Sequence, residues 1–352
     1  MGRMVSSSFS GTRTPMTTLK DVARVAGVSR ATVSLVCRNS PLVAAKTRAR
    51  VEQAMAEVGY VYNRSAANLR SSRTDTIGLV IPEIANPVYA EILQGIEECM
   101  APLGKQVVMA STSESLEVQD RILQRMLEMR VDGLIISAAT GSAPSTFDAC
   151  IRAGVPVVQV LRSVDSARLD YAGTDNRAGA GRATRHLLSL GHTRLAFLGS
   201  SVATSVSHDR YLGYCDALQA KGLSVDQELV ASCLPKIGDA AAAAHRLLSS
   251  ANPPTALVCF NDIVAFGVTM ALYERGQEPG RDVGVIGFDN IEWAENWRPA
   301  LSTMSISALE IGRHAGELLS RRLQDKEEAP QRMISEATLI ERRSTGGLAG
   351  PR

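Results

Sequence analysis

Ser205, Ser207, His208 and Asp209 crowd into five positions and supply the residue types of a hydrolytic triad. Neighbours in one loop rarely aim at a common point, and a triad draws its nucleophile, base and orienting acid from separated elements beside an oxyanion site. The chain also lacks the usual cofactor handles, a GxGxxG turn, a P-loop or a metal-ligand cluster. Its six cysteines (Cys37, Cys99, Cys150, Cys215, Cys233 and Cys259) show no CxxC spacing and fit reduced thiols better than disulfides or a metal site. No catalytic residues, metal or cofactor are therefore expected. What remains is recognition chemistry: cationic and hydroxyl side chains near the N-terminus, and arginine, asparagine and aspartate at the ends of apolar runs further on.

The elements that must position these groups begin with the charge layout. Residues 1–73 hold twelve lysines and arginines against Asp21, Glu52 and Glu57, whereas the remaining residues hold 26 against 33 acids. A basic head on an acidic body is the pattern of a chain whose head alone meets a polyanion. With 352 residues, 45% hydrophobic and 21% charged, two or three globular domains are expected. No apolar run approaches the ~20 residues that cross a bilayer, so no membrane partner is expected. The first 16 residues carry Arg3 and Arg13 but no signal-like apolar stretch and read as a disordered leader, with the chain expected in the cytoplasm.

In the head, Leu19, Val22, Ala23 and Ala26 recur at helical spacing, with Thr18 as N-cap and Asp21 at the third position. Gly27 permits a tight stop, and Ser29 caps a second helix, Arg30 to Cys37. That helix buries Val33 and Val36 and turns Arg30, Ala31, Ser34 and Leu35 outward, where its first turns could read base edges in a major groove. Thr32 and Ser34 could bond phosphates or bases, and Arg30 could pair with guanine or phosphate. A third helix is signalled from Ala45 to Val58, with Lys46, Arg48 and Arg50 on its early turns. After Gly59, Tyr60, Val61 and Tyr62 pack beneath, and Asn63 caps a short helical stretch to Arg70.

The blocks TLKDVARVAGVS (18–29), ATVS (31–34), KTRARVEQAM (46–55) and GYVYNRSAANLRS (59–71) resemble the lactose/galactose repressor family of bacterial regulators, and the resemblance runs over nearly the whole chain. It implies a double-stranded, pseudo-palindromic DNA operator and a hinge helix over Asn63 to Ser71. Two such helices from a homodimer enter the minor groove, with Leu69 as the wedge and Ala66 and Asn68 beside the groove walls. The implied DNA-binding set is Thr18, Ser29, Arg30, Ala31, Thr32, Ser34, Leu35, Arg38, Asn63, Ala66, Asn68 and Leu69. One departure stands out. Family members usually carry arginine at the position of Leu35, and its loss removes a bidentate guanine contact worth ~1–3 kcal/mol, so a different operator is expected.

Beyond Thr74, short apolar runs (TIGLVIP, QVVMAS, GLIISA, PVVQVL, then LAFLG, ALVCF, GVIGFD) alternate with helical stretches, the rhythm of parallel strands with crossover helices. Ligands of such sheets sit at the strands' carboxyl ends. That rule selects Asn86, Pro87 and Tyr89, then Ser137 and Arg162, in one subdomain. In the other it selects Ser205, His208, Arg210, Asn261, Asp262, Phe288 and Asp289. Asn261 and Asp262 could equally be helix caps, and Arg210 with Asp289 a structural ion pair. By resemblance, Arg210 before YLGY and Asp289 in GFDN match residues that contact the effector. The expected effector set is Tyr89, Ser137, Arg162, His208, Arg210, Asn261 and Asp289, for a sugar or sugar derivative. Leu161 stands where many sugar-responsive members place aspartate. With two arginines potentially facing the cleft, a sugar acid or phosphate is favoured over a neutral sugar.

The expected fold is an all-α helix-turn-helix head plus an α/β body of two doubly wound parallel-sheet subdomains of periplasmic-binding-protein type. Its divisions are a leader (1–16), the helix-turn-helix domain (17–62), a hinge (63–74), an effector-binding and dimerisation domain (75–345) and a disordered tail (346–352). GGLAGPR offers no heptad helix after Arg343, so a dimer rather than a four-chain assembly is expected. The function expected is a transcription regulator, most simply a repressor, that switches by differential effector affinity. A transport binding protein would share the sensor fold but would need an export signal and has no use for the basic head.

Overall fold

The structure, a computed structural model, describes residues 17–62, 74–164, 167–199, 204–325 and 327–346. It divides into two units, Met1–Ser72 and Arg73–Arg352. The expected leader and the hinge stretch with Asn63, Ala66, Asn68 and Leu69 lie outside the described residues.

The head holds α1 (Leu19–Ala26), α2 (Arg30–Cys37) and α3 (Ala45–Glu57), each packed on the other two. The capping residues act as their types dictate. Thr18 donates its backbone N–H and its hydroxyl to one oxygen of Asp21, at 3.0 and 2.7 Å. Gly27 ends α1 at φ 59, a left-handed conformation that suits glycine. The seven buried residues of the core, Val22, Ala23, Ala26, Val33, Val36, Val51 and Ala54, are all valine or alanine. Tyr60 packs against them, but Val61, expected beneath the domain, is 85% exposed.

The body interleaves β1 (Thr76–Ile81), α4 (Val88–Met100), β2 (Gln106–Ser111), α5 (Leu116–Glu128), β3 (Gly133–Ile136), α6 (Asp148–Arg152), β4 (Val157–Val160) and β5 (Asp170–Thr174). There follow α7 (Asn176–Ser189), β6 (Leu195–Gly199), α8 (Ser205–Ala220), β7 (Val230–Ser232), α9 (Ile237–Leu248), β8 (Ala256–Cys259), α10 (Asp262–Glu274) and β9 (Gly284–Asp289). The chain closes with α11 (Glu292–Asn296), β10 (Ser302–Ser305), α12 (Ala308–Gln324), β11 (Arg332–Ser335) and β12 (Thr338–Ile340).

Two six-stranded sheets result, ordered β11-β5-β4-β3-β1-β2 and β12-β10-β9-β8-β6-β7. All neighbours are parallel except β10 and β12. The inner strands β3, β4, β8 and β9 are buried along their whole length, as suits their largely apolar runs, while the edge strand β2 is partly exposed. The chain leaves the first sheet after β5, returns to it after β10, and crosses again between β11 and β12. Each sheet carries a helix pair in close approach. A Cβ on Gly95 of α4 would strike the Leu309 carbonyl of α12, and one on Gly213 of α8 the Arg177 carbonyl of α7. The strand order reverses between β1 and β3, and again between β6 and β8, which places a crevice at the carboxyl ends of both sheets.

Candidate functional site

On the head, Arg30 and Ala31 stand exposed on the first turn of α2, and Thr32, Ser34 and Leu35 are half-buried. Ser29 is committed to the helix. Its hydroxyl accepts from the Thr32 N–H at 3.1 Å and meets the Thr32 hydroxyl at 2.9 Å, so both side chains serve the cap. Thr18 is committed likewise, and its hydrogen bonds to Asp21 hold that carboxyl below its ordinary range. Arg38 lies exposed and donates through Nε to the Ser34 carbonyl at 3.2 Å. Leu35 falls outside the core cluster, so its side chain is not part of what holds the head together. Arg48, grouped by sequence with the basic side chains of α3, ties down the preceding loop through Asn39 Oδ1 and the Ser40 carbonyl, each at 2.7 Å. Of the described residues in the expected DNA-binding set, those that do not serve a helix N-cap are Arg30, Ala31, Ser34, Leu35 and Arg38.

In the body, Arg210 projects from α8 into a buried polar knot. Its Nε donates to Asn176 Oδ1 at 2.8 Å, one terminal nitrogen to the Phe260 carbonyl at 2.5 Å, and the other to Asp289 Oδ1 at 3.3 Å. The guanidinium lies 3.6 Å from the centroid of the Phe288 ring, a cation over an aromatic face. Arg210 and Asp289 side chains are only 5% and 7% exposed. Burial pushes the Asp289 carboxyl up to about 6, with the arginine opposing it. Asp289 also stands at φ 111, a strained conformation for a side-chain-bearing residue.

Beside this knot lies Asp262, which accepts from the Thr303 hydroxyl at 2.6 Å and the Ile291 N–H at 2.9 Å. Burial, and then the charge of Asp289, push it up to about 8. Asn261 caps α10, its Oδ1 accepting from the Val264 N–H at 3.0 Å, so the capping alternative describes this side-chain oxygen. Asn86 plays a similar local part, accepting from the Val88 N–H at 3.2 Å.

From the first sheet come Tyr89 and Ser137, whose hydroxyls meet at 3.1 Å in a buried setting. Burial raises the Tyr89 phenol, which lies within electrostatic reach of Arg162, Glu114 and Asp289. The two sheets thus converge on this ring. Ser163 N–H donates to Ser205 Oγ at 3.0 Å, a second link between the subdomains. Sequence reasoning expected Arg162 to face the cleft as an open cation. Instead, both oxygens of Glu114 hold its guanidinium, at 2.7 and 3.0 Å, and the Ala138 carbonyl takes a third bond at 2.9 Å. Burial opposes the Glu114 charge, but the bonds and charge of Arg162 win and hold the carboxyl below its usual range. The expectation of an acidic or phosphorylated ligand rested on Leu161 in place of an aspartate and on two arginines facing the cleft, and each of those arginines carries a carboxylate partner, Glu114 for Arg162 and Asp289 for Arg210.

His208 is exposed on α8, whereas Arg210, two residues on and so about 200° around the helix, is buried. The structure therefore brings Tyr89, Ser137, Arg162, Arg210 and Asp289 together with Asn261 at the helix start, and leaves His208 at the surface. Sequence reasoning missed Glu114 and Asn176. Both obey the same strand-end rule, Glu114 after β2 and Asn176 after β5, but β2 contributed no candidates and DYAGT was not read as a strand.

Comparison with known proteins agrees in both units. The family model for bacterial regulatory proteins of the lacI family matches residues 18–63, and that for periplasmic binding proteins and the sugar-binding domain of the LacI family matches residues 74–343. The chain is 32% identical over 334 residues to the HTH-type transcriptional regulator DegA of Bacillus subtilis (strain 168), covering 94% of this chain and 99% of DegA. Among solved structures, the transcriptional regulator CelR in complex with cellobiose has a TM-score of 0.72 at 30% identity, covering 93% of this chain and 99% of CelR. The Lac repressor dimer bound to operator and the anti-inducer ONPF has a TM-score of 0.82 at 26% identity, covering 94% of this chain and all of that one.

Proposed function

The chain belongs to the LacI family of bacterial regulatory proteins, and from that premise we propose that it is a cytoplasmic, homodimeric repressor whose grip on a pseudo-palindromic operator changes when a sugar-like effector enters the cleft. Arg30 and Arg38 supply the polar contacts of α2 to DNA, and Leu35 meets an apolar feature such as a thymine methyl. In the cleft, Arg210 and Asp289 present a donor fork and an acceptor side by side, the arrangement that suits vicinal hydroxyls. The effector acts through unequal affinity for two arrangements of the subdomains.

The observation that carries this reading is the buried Arg210–Asp289 pair, held by Asn176 and Phe260 at the junction of strands that share one crevice. It favours binding over catalysis. Ser207 is bonded to Thr204, Ser205 to the Ser163 backbone, and His208 faces solvent, so the triad-like run does not converge.

A mobility-shift titration of the gene's own upstream DNA tests the proposal. Specific binding that weakens steeply with salt, and that a sugar from a broad panel alters, is the expected result. Binding equal to that of unrelated DNA would refute it. Selection of sites from random DNA with wild type and Leu35→Arg tests the reading face: the two should enrich different half-sites, and identical half-sites would remove Leu35 from it.

A further inference from the structure

The two ion pairs of the cleft differ in how firmly the arginine is held. Asp289 meets Arg210 through a single bond at 3.3 Å, whereas Glu114 clamps Arg162 with both oxygens and also accepts from the Thr140 N–H and hydroxyl at 2.9 and 3.0 Å. To reach that place the chain after β2 puts two successive non-glycine residues, Ser113 and Glu114, at φ 50 and 60. Strain of this kind persists only where the surroundings over-determine it. Arg162 and Thr140, both bonded to Glu114, line a half-open cavity of about 190 Å³ together with the Ala138–Ser142 loop, Val164, Thr204 and Ser205.

We infer that Glu114 is the charge-selectivity determinant of this cavity: while it holds Arg162, the cavity admits uncharged hydroxyl-rich ligands and rejects phosphate and carboxylate groups. The inference rests on reading the cleft as the effector site. An arriving anion meets a guanidinium whose charge Glu114 already neutralises, and it must either lie beside that carboxylate or displace it. A hydroxyl is uncharged and both donor and acceptor, so it meets Arg162 and the Thr140 hydroxyl at the cavity wall without displacing Glu114. Removing the carboxylate leaves an unpaired guanidinium on the wall of a small, mainly polar cavity, which is an anion site.

Full-length wild type and Glu114→Gln, probed with inorganic phosphate against chloride at matched ionic strength, test this by thermal melting of the body. Wild type should show no saturable phosphate response. The variant should bind phosphate at least roughly tenfold more tightly, the worth of one or two charge-assisted bonds, and Glu114→Gln combined with Arg162→Met should abolish the gain. Glu114→Gly, which suits φ 60 better than any side-chain-bearing residue, serves if Glu114→Gln fails to fold. Variants that respond no more than wild type would overturn the inference, as would a wild-type response that Arg162→Met removes. Operator affinity measured alongside separates the two readings. Phosphate binding by the variant that leaves operator affinity unmoved would support the selectivity role while removing the cleft as the effector site.

Discussion

In the head, the groups proposed to face DNA lie outside a buried core of valine and alanine. In the body, the corresponding groups are buried ion pairs, with Arg210 and Asp289 each less than a tenth exposed. The head's reading face can therefore change without touching what holds the head together, since Arg30 and Ala31 support no packing. The body's proposed binding groups, Arg210 and Asp289, also hold buried parts of its fold together. Removing one leaves a buried charge alone, so ligand affinity and stability are coupled there and separable in the head.

The strongest way to break this comparison is to cut one arginine in each unit. Arg210→Ala should lower the stability of the body by ~3–5 kcal/mol, because Asp289 loses its partner in a desolvated site, and should abolish any effector response. Arg30→Ala should stay within about 0.5 kcal/mol of wild type yet weaken operator binding. Calorimetric melting alongside mobility shifts checks both, and comparable stability losses would show that the units do not differ in this way.

Protonation sharpens the contrast next, because Asp262 and Asp289, buried carboxyls with raised values, both lie in the body. Asp262 is raised from its ordinary 3.8 to about 8. A carboxyl raised on folding keeps its proton while the unfolded chain loses it, so its stabilising effect is full below pH 3.8 and is lost as pH rises towards 8. Asp262→Asn removes that loss. Relative to wild type, the variant should gain stability between pH 5 and pH 8 by on the order of a few kcal/mol. Urea unfolding of the body at the two pH values checks it, and an unchanged difference would assign Asp262 an ordinary value.

These differences explain what could be read from the chain directly. In the head, the caps of α1 and α2 lie three residues from their partners, Thr18 from Asp21 and Ser29 from Thr32, and the core residues recur at helical spacing. Local rules therefore located α2 to its end residues. The body's site joins positions far apart in sequence, Asn176 with Arg210 and Asp289, and Glu114 with Arg162. Strand ends could nominate such residues, and with them Arg210 and Asp289 as one possible pair, but they could not supply Glu114 as the partner of Arg162. The pairing of β11 with β5 and of β12 with β10 was equally hidden. Each of these short strands lies in a different sheet from its neighbour in sequence, and no local pattern encodes that exchange.

The head's small core makes a third prediction. With four valines and three alanines as its buried set, it holds little apolar area, and domains of this size are marginal. Val33→Ala should cost on the order of 2 kcal/mol, enough to melt the head well before the body. Circular dichroism should then show an early partial loss of helix, while ligand binding in the body persists. Simultaneous loss of both would mean that the two units do not unfold independently.

The smallest effect is the most local. Ser29→Ala deletes the oxygen that accepts from the Thr32 N–H at 3.1 Å and should cost ~1 kcal/mol. The same substitution frees the Thr32 hydroxyl, which now meets Ser29 at 2.9 Å, to turn towards DNA. If Ser29 acts only as a cap, operator affinity should fall no further than the loss of folded head accounts for, and raising head stability elsewhere should restore it. A deficit that persists in a restabilised head would show that Ser29 contacts DNA itself, which would narrow the separation between stability and recognition on which the comparison of head and body depends.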